Sequence, residues 1–172
     1  MNETLQVLKN RRSCRNFKPT QIKDEELNAI LEAGTYAPTG MGMQSPIMVV
    51  VQDKETIDYM SKINGKIMGF DGDPFYGAPT VVIVFADTGR YTYVEDGSLV
   101  LGNMMIAAHS IGVDSCWIHR AKELFEMPEG KELMKKWGIS ENYAGVGNCV
   151  LGYAATPIPP AKARKEDYIR RV

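Results

Sequence analysis

Histidine and cysteine are scarce in this chain, two and three of 172 residues. No His, Cys and Asp set stands at zinc-ligand spacing, so no metal site is expected, and three cysteines, an odd number, do not make a disulfide framework. Charge of one sign is lacking too: 20 Lys+Arg against 21 Asp+Glu leave a formal net charge of −1, which argues against a general affinity for nucleic acid. No apolar run approaches the roughly 20 residues that span a bilayer. The first residues, Met1 to Thr4, start a polar helix without the charged-then-apolar pattern of a secretory leader. The expectation is a cytoplasmic protein with neither a membrane nor a nucleic-acid partner. Also missing are a Walker-type loop and a Gly-x-Ser-x-Gly elbow. Gly40 and Gly42 follow a helix and precede a strand, the reverse of the order a dinucleotide-binding fold requires.

What is present reads as one domain over 1–172, with alternating helices and strands. Residues 3–10 form a short helix. A second follows with Asp24 as its cap, Glu25 and Glu26 in the first turn, and Leu27, Ile30, Leu31 and Gly34 at i, i+3, i+4 and i+7; it ends before Ala37-Pro38. Apolar runs at 47–51, 80–86, 113–118 and 146–153 read as strands, the first two as strands covered on both faces. Residues 54–63 read as a helix and Gly65 to Gly77 as a loop. The stretch 95–111, closed by Gly112, is apolar almost all round. A helix buried on nearly every side is hard to arrange in so small a domain, and this one is therefore expected to line a subunit interface. Two helical pieces, 121–127 and 129–137, part at Pro128. The tail from Ala154 is proline-rich and then basic, and is expected to be ordered only by docking elsewhere. The alternation gives an α/β or α+β layered domain, with a parallel sheet still open.

One local excess stands out against the neutral background: Arg11-Arg12-Ser13-Cys14-Arg15. Three guanidinium groups and a hydroxyl are the donors that phosphate oxygens accept, although a solvated basic turn would look the same. A second basic pair, Lys162 and Arg164, stands in the tail, and the two loops could converge on one phosphate. With neither nucleophile nor metal in view, any reactive chemistry would come from an organic cofactor placed by the protein. Cys116 and Cys149 read as buried thiols and His109 as a core or interface histidine. His119, at a strand end beside Trp117 and Arg120, reads equally well as structural or as ligand-facing.

Taken in order, these motifs resemble the FMN-dependent nitroreductase family: Arg11-Arg12-Ser13-x-Arg15, Ala37-Pro38-Thr39-Gly40-x-x-x-Gln44, Ala78-Pro79, Asn103 to Ala108, Ile111-Gly112-Val113 with Cys116-Trp117-Ile118, and Leu151-Gly152-Tyr153 with Lys162-x-Arg164. The match runs over nearly the whole chain and is similar to the short, compact branch of that family. The resemblance implies an α+β fold, a central and mostly antiparallel sheet flanked by helices, in an intertwined homodimer whose C-terminal arms (154–172) pack on the partner subunit. It implies tightly bound FMN, NADH or NADPH as electron donor, and a nitroaromatic, quinone or similar small molecule as acceptor. Alternatives on the same scaffold are reduction of free flavin, an enone or a halogenated aromatic, or a flavin-binding sensor or carrier with little turnover.

Carried over by position, Arg11 and Ser13 would bind the FMN phosphate with Lys162 and Arg164. Arg12 would act through its backbone, and Arg15 would stabilise negative charge on the reduced ring. Pro38, Thr39, Gly40 and Gln44 would come from the partner, and Ile118-His119 would offer a backbone N–H to flavin N5. Gly42 stands where many members carry Asn, so one amide contact is missing. Asn64 and Lys66 are candidates for the ring edge. Tyr36, Phe70, Phe75 and Tyr76 are candidates for the ring's open face, each weighed against core packing.

Overall fold

The structure, a computed structural model, describes residues 2–172; Met1, part of the N-terminal stretch read above, lies outside them. Along the chain come α1 (Glu3–Asn10), α2 (Asp24–Thr35), β1 (Ile47–Val51), α3 (Lys54–Met68), β2 (Thr80–Asp87), α4 (Tyr93–Ser110), β3 (Asp114–Ile118), α5 (Ala121–Glu126), α6 (Pro128–Lys136) and β4 (Tyr143–Gly152). The strands make one sheet in the order β1-β2-β4-β3, and every neighbouring pair is antiparallel. The parallel arrangement that alternation alone left open is set aside, and the fold is α+β.

Alternation along β2 builds two cores, one on each face of the sheet. Val81, Ile83 and Phe85 pack with Cys116, Ile118 and Val150 under α3, α5 and α6. Val82, Val84 and Ala86 pack with Cys149 and Leu151 under α2 and α4. Both faces are covered, so β2 reads as a continuous apolar run, and every residue from Thr80 to Ala86 is buried. Helix α4 lies close on β4 because Gly147 has no side chain: a Cβ there would stand 2.7 Å from Leu101 Cδ1 and 2.9 Å from the Trp117 ring.

Several boundaries differ from the sequence reading. Lys23, not Asp24, is the N-cap of α2. Its N–H donates to the Glu26 carboxylate at 2.9 Å, the return half of a capping box. Glu26 also accepts the Tyr153 hydroxyl at 2.5 Å, which ties the start of α2 to the residue after β4. The bond from Tyr153, then that from Lys23, hold the Glu26 carboxyl below its ordinary range. Helix α3 runs to Met68, five residues past the expected end, and stops at Gly69 in the left-handed conformation. Gly65 does not break it; a Cβ there would lie 3.0 Å from the Phe70 carbonyl oxygen, so this glycine answers to a close approach of backbone. Strand β4 starts at Tyr143, three residues early, because Tyr143 and Ala144 pair with Asp87 and Ala86 through backbone alone. Pro128 opens α6 at its first position.

Helix α4 is not buried on every side within one chain. Val100, Leu101, Met104 and Ala108 are buried against the sheet, while Val94 and Leu99 are exposed and Met105 and Ile106 only half-buried. The apolar surface expected at an interface is therefore open. The tail packs into its own chain as far as Ile158, which meets the first core; from Pro159 on every residue is exposed, Tyr168 and Ile169 included.

Candidate functional site

The arginine loop follows α1 directly and lies along the free edge of β3. Ser13 pairs with Ser115 as a short parallel bridge, and the Cys14 N–H donates to the Ser115 carbonyl at 2.9 Å. Downstream, the Lys18 N–H donates to Tyr153 O at 2.8 Å and the Ala155 N–H to Asn16 O at 2.9 Å. Phe17 is buried beneath this seam. A five-residue segment with three cations is thus fixed by backbone bonds and one buried ring, and Cys14 is the one side chain of the five that it buries in the core.

Arg11, Ser13 and Arg15 converge near the Cys116 thiol. Burial pushes that thiol up; the Ser13 hydroxyl hydrogen bond and the positive charges of Arg15 and Arg11 pull the other way. Arg12 turns back to donate from Nη1 to the Arg11 carbonyl. Among the described residues none of these three arginines forms an ion pair. Arg11 Nη1 is buried without a partner, and so is Ser115 Oγ in the strand alongside. An uncompensated buried guanidinium donor costs about 1–3 kcal/mol, and an anion with several acceptor oxygens is the group that satisfies it. The donor set fits a phosphate.

The end of β3 is held from both sides by fully buried asparagines. Asn148 donates to the Ile118 carbonyl at 3.2 Å and Asn64 to the His119 carbonyl at 2.9 Å. The chain then turns through Arg120 at φ +74°, a left-handed conformation for a residue with a side chain. His119 is exposed, Asn64 lies beneath this strand end and Lys66 is exposed. Of the four aromatic candidates, Phe75 is core, at 0% exposure; Tyr36 and Phe70 are exposed and Tyr76 is half-buried.

The second candidate loop, Pro38 to Gln44, stands elsewhere. It sits on the first turn of α4, where the Gly40 N–H donates to Asp96 Oδ1 at 2.8 Å. The arginine loop lies at the other end of that helix, where Arg12 and His109 line one cavity of about 390 Å³ with Asn10, Asp114 and the tail residues Ile158 to Ala161. Asp96 and His109 are thirteen residues apart, roughly 20 Å at 1.5 Å per residue. One chain therefore holds the glycine loop and the arginine loop well apart. The tail reaches the cavity beside Arg12 through Ile158 to Ala161; beyond it Lys162 and Arg164 are exposed, and Arg164 donates from Nε and Nη2 to the Lys162 carbonyl at 3.2 and 2.7 Å. A larger cavity of about 860 Å³ between α5, α6 and the start of β4 lies apart and holds none of the predicted residues.

Sequence reasoning missed Asp96, Asn148 and Ser115. Asp96 and Asn148 carry a signal in retrospect, each being a polar residue inside an apolar helix or strand. All three thiols are buried; burial is the leading cause that raises each, and Cys149 is pushed up to about 12. Among the described residues no group of His, Cys, Asp and Glu is placed to hold a metal ion, and no helix is long and apolar enough to cross a membrane.

Comparison with known proteins points the same way as the geometry. A crystal structure of a nitroreductase with bound FMN from Bacteroides fragilis superposes with a TM-score of 0.93, at 32% identity and full coverage of both chains. A second nitroreductase with bound FMN, from Desulfitobacterium hafniense, gives 0.90 at 33% identity, over 100% of this chain and 99% of that one. A protein of Archaeoglobus fulgidus that carries the provisional name NADH dehydrogenase/NAD(P)H nitroreductase is 32% identical over 158 residues, 89% of this chain and 86% of its own. The nitroreductase family model matches residues 8–69 and 66–153, a span that takes in the arginine loop, the glycine loop and all four strands. By sequence and by fold, this chain belongs to the nitroreductase family.

Proposed function

We propose that this protein is an FMN-dependent oxidoreductase that takes a hydride from NADH or NADPH and passes it to a nitroaromatic, quinone or similar small acceptor. The observation that carries the reading is the unpartnered, buried Arg11 Nη1 in a loop whose three guanidinium groups form no ion pair among the described residues. When bound, FMN supplies the ring that takes up and releases the hydride.

The residues act around it. Arg11 and Ser13 hold the phosphate through charge-assisted bonds, and Arg12 braces the loop by its bond to the Arg11 carbonyl. Arg15, exposed beside them, sets a cation where negative charge collects on reduction. The Ile118-His119 segment presents backbone that Asn148 and Asn64 hold in place.

The working unit in this reading is a homodimer, supported by the open apolar side of α4 and by the roughly 20 Å between the two loops. If two copies of α4 lie antiparallel, the Pro38–Gln44 loop of one stands at the arginine loop of the other. The 154–172 arm, exposed from Pro159 on, then lays Lys162 and Arg164 on the partner's phosphate. The absorption spectrum of the purified protein, recorded anaerobically after FMN loading, tests the reading. Loss of the visible flavin bands on addition of NADH or NADPH is the expected result. Retention of FMN without bleaching by either nicotinamide would mark a flavin carrier, and no FMN retention would overturn the proposal.

A further inference from the structure

We propose that Asp96 is the positioning residue of the Thr39–Gln44 loop, its buried carboxylate seating that loop on α4 in the shape in which it meets the cofactor. The link to the cofactor rests on the reading above; the seating of the loop does not.

Asp96 is 3% exposed and, among the described residues, has no ion-pair partner. A carboxylate withdrawn from water needs hydrogen bonds to stay there. It accepts two, from the Gly40 N–H at 2.8 Å and from the Thr92 hydroxyl at 3.2 Å, and its place in the first turn of α4 adds the favourable end of the helix dipole. One bond therefore leaves the helix for the loop.

The loop needs that anchor. Met41 and Gln44 are left-handed at φ 54° and 51°, and Gly42 lies between them at 66°. Side chains disfavour that region, and such a conformation persists only where its surroundings impose it. Internal bonds fix the curl: Thr39 accepts the Gln44 N–H on its hydroxyl and the Gly42 N–H on its carbonyl, both at 2.9 Å. They do not fix where the curl sits, and the side chains of Met41 and Gln44 are exposed. Its seat is Gly40, which lies flush on the helix; a Cβ there would fall 2.4 Å from Thr92 Oγ1.

Hydrogen exchange of the full-length, FMN-free chain, set beside FMN titration by fluorescence quenching, tests this. In Asp96→Ala, amides of residues 39–45 should exchange about tenfold faster, with those of α1 and β3 unchanged. FMN affinity should fall about tenfold with them. Asp96→Asn keeps an oxygen for the Gly40 N–H and should stay within about threefold of wild type in both measurements, a rescue that depends on hydrogen bonding and not on charge. Should Asp96→Ala fail to fold, Gly40→Ala lifts the same loop by steric contact and is expected to show the same pair of changes. Unchanged exchange at 39–45 in the folded variant overturns the seating role. Faster exchange with unaltered FMN affinity overturns the link to the cofactor. Failure of the wild type to bind FMN overturns the proposed function, and the exchange result then decides the seating by itself.

Discussion

Replacing Arg11 with alanine should weaken FMN binding by about 1.5–3 kcal/mol, or roughly 10- to 150-fold in Kd. The guanidinium is already partly withdrawn from water, with Nη1 buried and unpartnered, so its desolvation is met when the chain folds and not when the ligand arrives. That arrangement gives the substitution a two-sided signature. The contact to the phosphate is lost, yet the empty protein sheds an unsatisfied donor and should be no less stable than wild type. Arg15→Ala is the contrast: its side chain is exposed and is proposed to serve the ring and not the phosphate, so its loss should cost less retention. A fluorescence titration of all three proteins, with urea denaturation of the FMN-free forms, reads both sides. Equal affinity in wild type and Arg11→Ala would remove the phosphate assignment.

The largest loss of stability is expected from Phe85→Ala. Phe85 stands on the central strand at 0% exposure and meets Phe125 of α5 edge-on, with ring centroids 4.7 Å apart. Phe125 leans in turn on Trp137, 6.0 Å away, just beyond α6. Truncation removes the buried ring, leaves a void and strips Phe125 of its edge contact, which together should cost about 3–5 kcal/mol. For a domain of this size that lowers Tm by about 6–20 °C. Urea denaturation at unchanged slope measures it. A loss under about 1 kcal/mol would mean that α5 settles into the vacated space.

These two residues also mark what the sequence disclosed and what it withheld. Phe85 belongs to an apolar run whose burial on both faces is legible from composition alone, and α4 announced itself as a long apolar stretch closed by Gly112. Elements fixed by backbone partners were harder to read. Tyr143 and Ala144 look like loop until Asp87 and Ala86 are there to pair with them, and Gly65 looks like a helix stop until Phe70 and Gly72 crowd it. The same division runs through the site. The arginine loop was legible because its charge excess is local to five residues. Asp96 was not, because its partner Gly40 is 56 residues away. The role of the tail was harder to read, since Lys162 and Arg164 are exposed and the Arg164 guanidinium donates to the Lys162 carbonyl.

The three concealed sulfhydryls have one more consequence. Shielded from water and held protonated, they stay silent toward alkylating reagents for as long as the sheet is closed. Each is thus a built-in timer. Cys14, next to the seam on β3, records local release of that edge, and Cys149, in the middle of the sheet, records only the rare event in which the whole molecule comes apart.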